Sequence, residues 1–254
     1  MQNPVKEKLQ KGEVALGTFV WITCPDVTER LSTAGFDWLL LDTEHAPSTF
    51  ESVQRMMQSM RGDTCVPIVR VQWNDPVAIK RALDIGAYGI LVPWVNNKEE
   101  AEAAVSACKY PPMGLRGIGP RRAALINENY IAEANDKLLV AVQIETVSAV
   151  KNINEILAVD GVDAVYIGPA DLGMSIRAAS SYNNVPTLEE SLDIVLEAAK
   201  KAGKPAGIFC MTGNIDKMIE KGFKFVSVGT DDSFLLSGAR EAVQKAQEGM
   251  AKIS

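Results

Sequence analysis

Short apolar runs alternate along this chain with longer stretches of helical period. The runs are Leu16–Trp21, Trp38–Asp42, Pro67–Val71, Gly89–Pro93, Leu139–Glu145, Ala164–Gly168, Ala206–Cys210 and Phe225–Gly229. Each is rich in β-branched or bulky residues on successive positions, the pattern of strands covered on both faces in a parallel sheet. The helical stretches are Asp26–Ala34, Ser48–Met60, Pro76–Ile85, Lys98–Cys108, Ser148–Ala158, Thr187–Ala202, Ile215–Lys221 and Asp232–Lys252. Pro25-Asp26, Pro47-Ser48 and Asp75-Pro76 place a capping residue or a proline at helix starts. Gly35, Gly86, Gly161, Gly203 and Gly222 follow helical patterns, where a left-handed residue ends a helix.

This alternation without a break in composition predicts an α/β chain: a single (β/α)8 TIM barrel over residues 1–254. A doubly wound open sheet is the rival. It calls for a glycine-rich loop after the first strand, and Gly17-Thr18-Phe19-Val20 provides none. Two connections look long: Lys109 to Lys137, and the Ser- and Asn-rich Arg177 to Pro186. Long loops in compact domains tend to be lids, binding loops or partner contacts.

Bulk numbers narrow the classes further. At 254 residues the length suits one barrel, and 47% hydrophobic residues are ample for its core. A net charge of -6 and a pI near 5.0 offer no broad basic surface, so no nucleic-acid partner is expected. No apolar stretch approaches the roughly 18 residues of a membrane span, and the polar start lacks a signal core, so the expectation is a cytoplasmic protein with no membrane contact. The four cysteines are scattered and there is one histidine. They read as small buried hydrophobes rather than a zinc site.

The barrel reading carries its own test, because reactive groups belong at the C-terminal ends of the strands. Asp42, Glu44 and His45 follow the second strand, and Arg70 lies in the third. Gln143 and Glu145 share one face at the end of the fifth, and Asp171 follows the sixth. His45 at this junction is a candidate base, with Asp42 placed to orient its ring. A buried Arg70 needs an anion; Glu44 and Glu145 are candidates. Glu145 and Asp171 could share a hard divalent cation, Mg²⁺ or Mn²⁺, with Co²⁺ as a further candidate. Equally, Asp171 could cap a helix while Glu145 pairs with an arginine. Lysines fall elsewhere: Lys137 and Lys224 precede strands, so imine-forming chemistry has no nucleophile at this face. The loops after strands seven and eight carry Asp231-Asp232, which disfavours a phosphorylated substrate.

In order along the chain, Asp42-Thr43-Glu44-His45-Ala46-Pro47, Leu83-Asp84-Ile85-Gly86-Ala87 and Tyr110-Pro111-Pro112 with Gly114-Leu115-Arg116-Gly117 precede Gln143-Ile144-Glu145-Thr146 and Ile167-Gly168-Pro169-Ala170-Asp171-Leu172. Together these segments resemble the HpcH/HpaI aldolase family, over about Gly17 to Leu172. The resemblance implies a phosphoenolpyruvate/pyruvate-type barrel and a metal-dependent class II aldolase acting on 4-hydroxy-2-oxoacids. It implies a small 2-oxoacid, pyruvate or a close relative, and an aldehyde as partners. Glu145 and Asp171 would hold the cation; Arg70, Gln143 and the backbone of Ala170 and Asp171 would bind substrate. His45 would be the base, working through a metal-bound water, and an acid matching Asp84 would raise its basicity. Asp84 lies on the far face of its own barrel in this reading, so it would act from a neighbouring subunit. Family members are typically homohexamers, trimers of dimers built with an exchanged final helix. Gly173-Met174-Ser175 after Leu172 and the basic Arg121-Arg122 depart from the family pattern and bear on the acceptor aldehyde.

Two other functions compete. A citryl- or malyl-CoA-type lyase of the same superfamily would need a basic groove for its nucleotide, for which Arg116, Arg121 and Arg122 are candidates. A non-catalytic metal-binding barrel would have no use for a full set of acid, base and cation.

Overall fold

The computed structural model describes residues 2–62, 64–179, 181 and 184–252. Eight parallel strands close into a barrel in chain order: β1 (Ala15–Val20), β2 (Trp38–Asp42), β3 (Val66–Arg70), β4 (Gly89–Val92), β5 (Leu139–Ile144), β6 (Ala164–Ile167), β7 (Ala206–Cys210) and β8 (Phe225–Thr230). Around them run α1 (Pro4–Gln10), α2 (Pro25–Leu31), α3 (Phe50–Ser59), α4 (Pro76–Asp84), α5 (Lys98–Cys108), α6 (Arg121–Ile126), α7 (Tyr130–Lys137), α8 (Val147–Lys151), α9 (Ile153–Leu157), α10 (Pro169–Ala179), α11 (Leu188–Ala202), α12 (Ile215–Lys221) and α13 (Asp231–Ala251). Among the described residues no helix is long and apolar enough to cross a membrane.

The period of two along a strand sorts the apolar runs into two cores. Leu39, Leu41, Val69, Ile90, Val142 and Ile167 face outward and pack under the helices. Ala15, Phe19, Trp38, Leu40, Ile68, Ala141, Tyr166 and Phe225 fill the barrel interior. Gly17 is required there: a Cβ would come within 2.1 Å of the Trp38 indole.

The same parity delivers the site. Extending the inward positions Trp38 and Leu40 by one step gives Asp42, and extending Val66 and Ile68 gives Arg70. Leu139 and Ala141 lead to Gln143, then to Glu145 past the strand end; Ala164 and Tyr166 lead to Gly168.

The five glycines expected to end helices all have positive φ, from 65° at Gly203 to 122° at Gly222. Two expectations need correction, and one element was not anticipated. The Lys109–Lys137 connection contains α6 and α7, whose short faces bury only Ala123, Tyr130 and Ala134 and so carry little periodic signal. Ser148–Ala158 is two helices, broken at Asn152, whose side-chain amide donates to the Asn96 carbonyl instead. The polar start folds as α1, which stoppers the N-terminal end of the barrel. Val5 and Leu9 enter the interior core, Asn3 donates to the Tyr88 and Lys137 carbonyls, and Lys6 pairs with Asp163 at 2.9 Å. Within the Arg177–Pro186 segment, α10 continues to Ala179; Ser180, Tyr182 and Asn183 lie outside the described residues.

Candidate active site

A pocket of about 480 Å³ opens at the C-terminal mouth of the barrel. Phe19, Trp21, His45, Arg70, Gln143, Tyr166, Asp171 and Phe209 are among the residues lining it, and no lysine is among them.

Arg70 is its buried cation, 5% exposed. β2 and β3 place Asp42 and Arg70 in register. The guanidinium grips Asp42 with both arms: Nε donates to Oδ1 at 3.0 Å and Nη2 to Oδ2 at 2.6 Å. Glu44 Oε2 lies 3.1 Å from Nε, and the Phe19 ring lies 5.0 Å from the guanidinium carbon. Burial works against the Arg70 charge, but Asp42, Glu44 and Glu145 outweigh it and hold the group firmly protonated.

Asp42 therefore does not orient the His45 ring. Besides Arg70, it accepts from the Trp21 indole at 2.8 Å and from the backbone amides of Glu44 and His45 at 3.0 and 3.4 Å. Its oxygens are fully engaged, because Asp42 and Arg70 neutralise each other where water is absent. The side chain beside the imidazole is Glu44, 3.8 Å from Nε2. Burial pushes the Glu44 carboxyl above its ordinary value, with Arg70 and His45 pulling the other way. His45 stands 58% exposed at the pocket rim.

Glu145 follows β5 and is 2% exposed. Its Oε1 accepts from the Trp94 backbone amide at 2.8 Å and its Oε2 from Gln143 Nε2 at 2.5 Å. Trp94 presents that amide from φ 56°, a left-handed conformation rare for a bulky residue, just after β4. Burial pushes the Glu145 carboxyl up to about 7, with Glu44 and Asp171 adding repulsion against the Trp94 hydrogen bond. Asp171 sits in the first turn of α10, exposed to the pocket. The amides of Ala170 and Asp171 lie in the first turn of α10, where no intrahelical acceptor is available, the usual seat for an anion.

Gln143 Oε1 is buried with no hydrogen-bond partner. A Cβ at position 168 would come within 2.8 Å of Gln143 Nε2 and 2.9 Å of Glu145 Oε2, so Gly168 keeps this corner open. Oxygen donors, mutual carboxylate repulsion and open space suit a hard divalent cation. Among the described residues no group of three or more His, Cys, Asp or Glu is gathered for a metal, so water and substrate oxygens would complete the coordination.

Asp84 ends α4, at the opposite end of the barrel from this pocket. It is paired with Arg116 at 2.7 Å. Arg116 is itself buried between the rings of Tyr110 and Tyr130, at 4.5 and 5.3 Å. Arg122 donates to the Ile85 carbonyl at 2.6 Å. These two arginines are committed to the fold, which removes most of the basic groove that a nucleotide thioester would need. Asp231, expected only to disfavour phosphate, accepts from the backbone amides of Trp21 and Ile22, each at 2.9 Å. The helix α13 is capped by Thr230 instead.

The HpcH/HpaI aldolase/citrate lyase family matches residues 15–237 of this chain. The chain belongs to that family. It is an aldolase-type carbon–carbon lyase. A 4-hydroxy-2-oxo-heptane-1,7-dioate aldolase of Klebsiella pneumoniae is 41% identical over 94% of this chain and 92% of its own. Among solved structures, an HpcH/HpaI aldolase/citrate lyase family protein from Burkholderia cenocepacia J2315 superposes with a TM-score of 0.90 at 32% identity, covering 97% of this chain and all of that one. The HpcH/HpaI aldolase from Desulfitobacterium hafniense DCB-2 gives 0.86 at 30% identity, covering 96% of each chain. For this family member, sequence reasoning missed three site features: the Trp94 amide, the Trp21 indole and the space at Gly168. Only Gly168 had a signal, as a glycine at the end of an inward-facing ladder.

Proposed function

We propose that this chain reversibly cleaves a 4-hydroxy-2-oxoacid into pyruvate, or a close 2-oxoacid, and an aldehyde, and that it needs a divalent cation to do so. The observation that carries the reading is the meeting of Glu145 and Asp171 with buried Arg70 and lone His45 around one pocket without a lysine. Glu145 and Asp171 hold the cation, Mg²⁺ or Mn²⁺ by the hardness of their oxygens, with Co²⁺ also compatible. When bound, the cation supplies Lewis-acid polarisation of the 2-oxo group. Gln143 and the amides of Ala170 and Asp171 bind and orient the 2-oxoacid carboxylate. Arg70, locked by Asp42, presents a fixed positive charge to the oxygen that becomes negative as the carbon–carbon bond breaks. His45 Nε2 moves the proton between the substrate and the solvent-exposed rim. The Klebsiella relative is named for a dioate, with carboxylates at both ends; only the 2-oxoacid end is carried over here.

His45→Ala is expected to lower kcat for cleavage by about 10²-fold, the lower end of general-base effects because water reaches this exposed ring. Mn²⁺ affinity, followed by electron paramagnetic resonance, is expected to stay unchanged. Wild-type kcat in His45→Ala would remove the imidazole from the mechanism.

Asp84 belongs to the reaction only across a subunit boundary; its carboxylate, paired with Arg116, keeps 19% of its side chain accessible on the far face. The chain carries exposed apolar side chains for such an assembly: Leu235, Leu236 and Val243 on α13 are half or more exposed. A homohexamer with α13 exchanged between protomers would cover them, and light scattering tests its mass. The cysteines are free thiols, which suits a reducing cytoplasm.

A further inference from the structure

Two tryptophans stand open at the C-terminal end of the barrel. Trp73 lies just past β3 and Trp94 just past β4, 57% and 40% exposed. Their rings stack on each other, with centroids 6.4 Å apart and an interplanar angle of 28°, within the range of offset aromatic pairs. Neither is among the residues lining the pocket.

What the stack reaches is the backbone of Trp94. At φ 56° this residue is left-handed, a conformation in which its Cβ crowds the following carbonyl. An unrestrained tryptophan would leave that conformation, and the amide that now donates to Glu145 Oε1 at 2.8 Å would turn away. Two contacts oppose the change. Asn96 Nδ2 donates to the Trp94 carbonyl at 2.8 Å, and the Trp73 ring packs on the Trp94 ring. Both restraints run back to α5. The Asn96 backbone amide donates to Glu100 Oε2 at 2.7 Å, and the side chain of Asn74, next to Trp73, donates to the Glu100 carbonyl at 2.8 Å. The turns after β3 and β4 are thus tied to one helical residue, with the indole pair bridging them at the surface.

We infer that Trp73 is a positioning residue for the metal site: stacked on Trp94, it keeps that backbone left-handed and its amide on Glu145. The inference rests on Glu145 holding the cation, as proposed above. The amide only donates, so it fixes Oε1 without competing for the ion. Oε2 is left beside the space that Gly168 keeps open.

The test is Mn²⁺ affinity of the intact enzyme, read by electron paramagnetic resonance, in Trp73→Ala, Trp73→Phe, Trp73→Ala combined with Trp94→Gly, and Glu145→Gln. Trp73→Ala is expected to weaken binding about tenfold, the lower end of the loss when an outer-shell partner is removed. Trp73→Phe keeps an aromatic face for the stack and is expected to stay within about threefold of wild type. Adding Trp94→Gly to Trp73→Ala is expected to recover affinity to within about threefold of wild type, because glycine is left-handed without steric cost and still presents the amide. General damage to the fold would not be repaired by removing a second tryptophan. Unchanged affinity in Trp73→Ala, an equal loss in Trp73→Phe, or a loss that Trp94→Gly leaves in place overturns the inference. Glu145→Gln separates the two possible failures. Weakened Mn²⁺ binding there, with wild-type affinity in Trp73→Ala, overturns the positioning role alone. Wild-type affinity in Glu145→Gln overturns the reading of Glu145 as a ligand, and the inference with it.

Discussion

Arg70→Ala lowers kcat for cleavage by about 10²–10³-fold, the loss expected when one preorganised donor to a developing oxyanion is removed. The cost extends to the fold. Asp42 is fully buried, and the bidentate guanidinium is the only cation hydrogen-bonded to it among the described residues. Removing one partner of such a pair leaves an uncompensated charge, which costs about 3–5 kcal/mol of stability. Urea unfolding followed by circular dichroism reads that loss separately from kinetics. Arg70→Lys is the informative companion. It keeps the charge but cannot form the planar fork to both Asp42 oxygens, so stability recovers partly while kcat stays depressed. If Arg70→Ala kept wild-type kcat, the enolate-stabilising role would be lost, whatever happened to stability.

Glu145→Gln abolishes measurable cleavage at ordinary metal concentrations. Removing a direct ligand should weaken Mn²⁺ binding by more than the roughly 10–100-fold typical of outer-shell partners. Stability moves the opposite way. In the metal-free protein, burial and neighbouring carboxylates hold Glu145 at about 7, above its ordinary 4.5. Between those values the folded state keeps a proton that the unfolded chain releases. The stability that this group contributes is therefore present at low pH and lost as pH rises through about 7. Glu145→Gln removes that dependence and leaves the metal-free protein at least as stable at pH 8, while metal affinity collapses. Because the ion must displace this proton, wild-type Mn²⁺ affinity should fall by about tenfold for each pH unit below about 7. A pH-independent affinity over that range would separate Glu145 from the ion.

Strand parity explains how much of this was legible in the chain. All eight strands lie within a residue or so of their expected positions, because buried parallel strands are continuous apolar runs with sharp polar ends. Those same ends announced Asp42, Arg70, Gln143 and Glu145 as neighbours. Partner choice was not legible. Asp42 lies three residues from His45 in the chain, yet the register of β2 against β3 sets it beside Arg70. The Trp94 amide was hidden for a related reason: nothing in Pro93-Trp94-Val95 marks a left-handed residue. α1 was missed because its two buried apolar positions, Val5 and Leu9, are too few to stand out among lysines and glutamates.

The central claim is that Glu145 and Asp171 make this pocket a metal-dependent enolising site. Proton NMR of pyruvate in D₂O with the enzyme tests it most directly, with no aldehyde present. Methyl deuteration should proceed with added Mg²⁺ or Mn²⁺, stop on chelation, resume on readdition, and be lost in both Glu145→Gln and Asp171→Asn. Deuteration continuing at the same rate in the chelator, or in both variants, would contradict it.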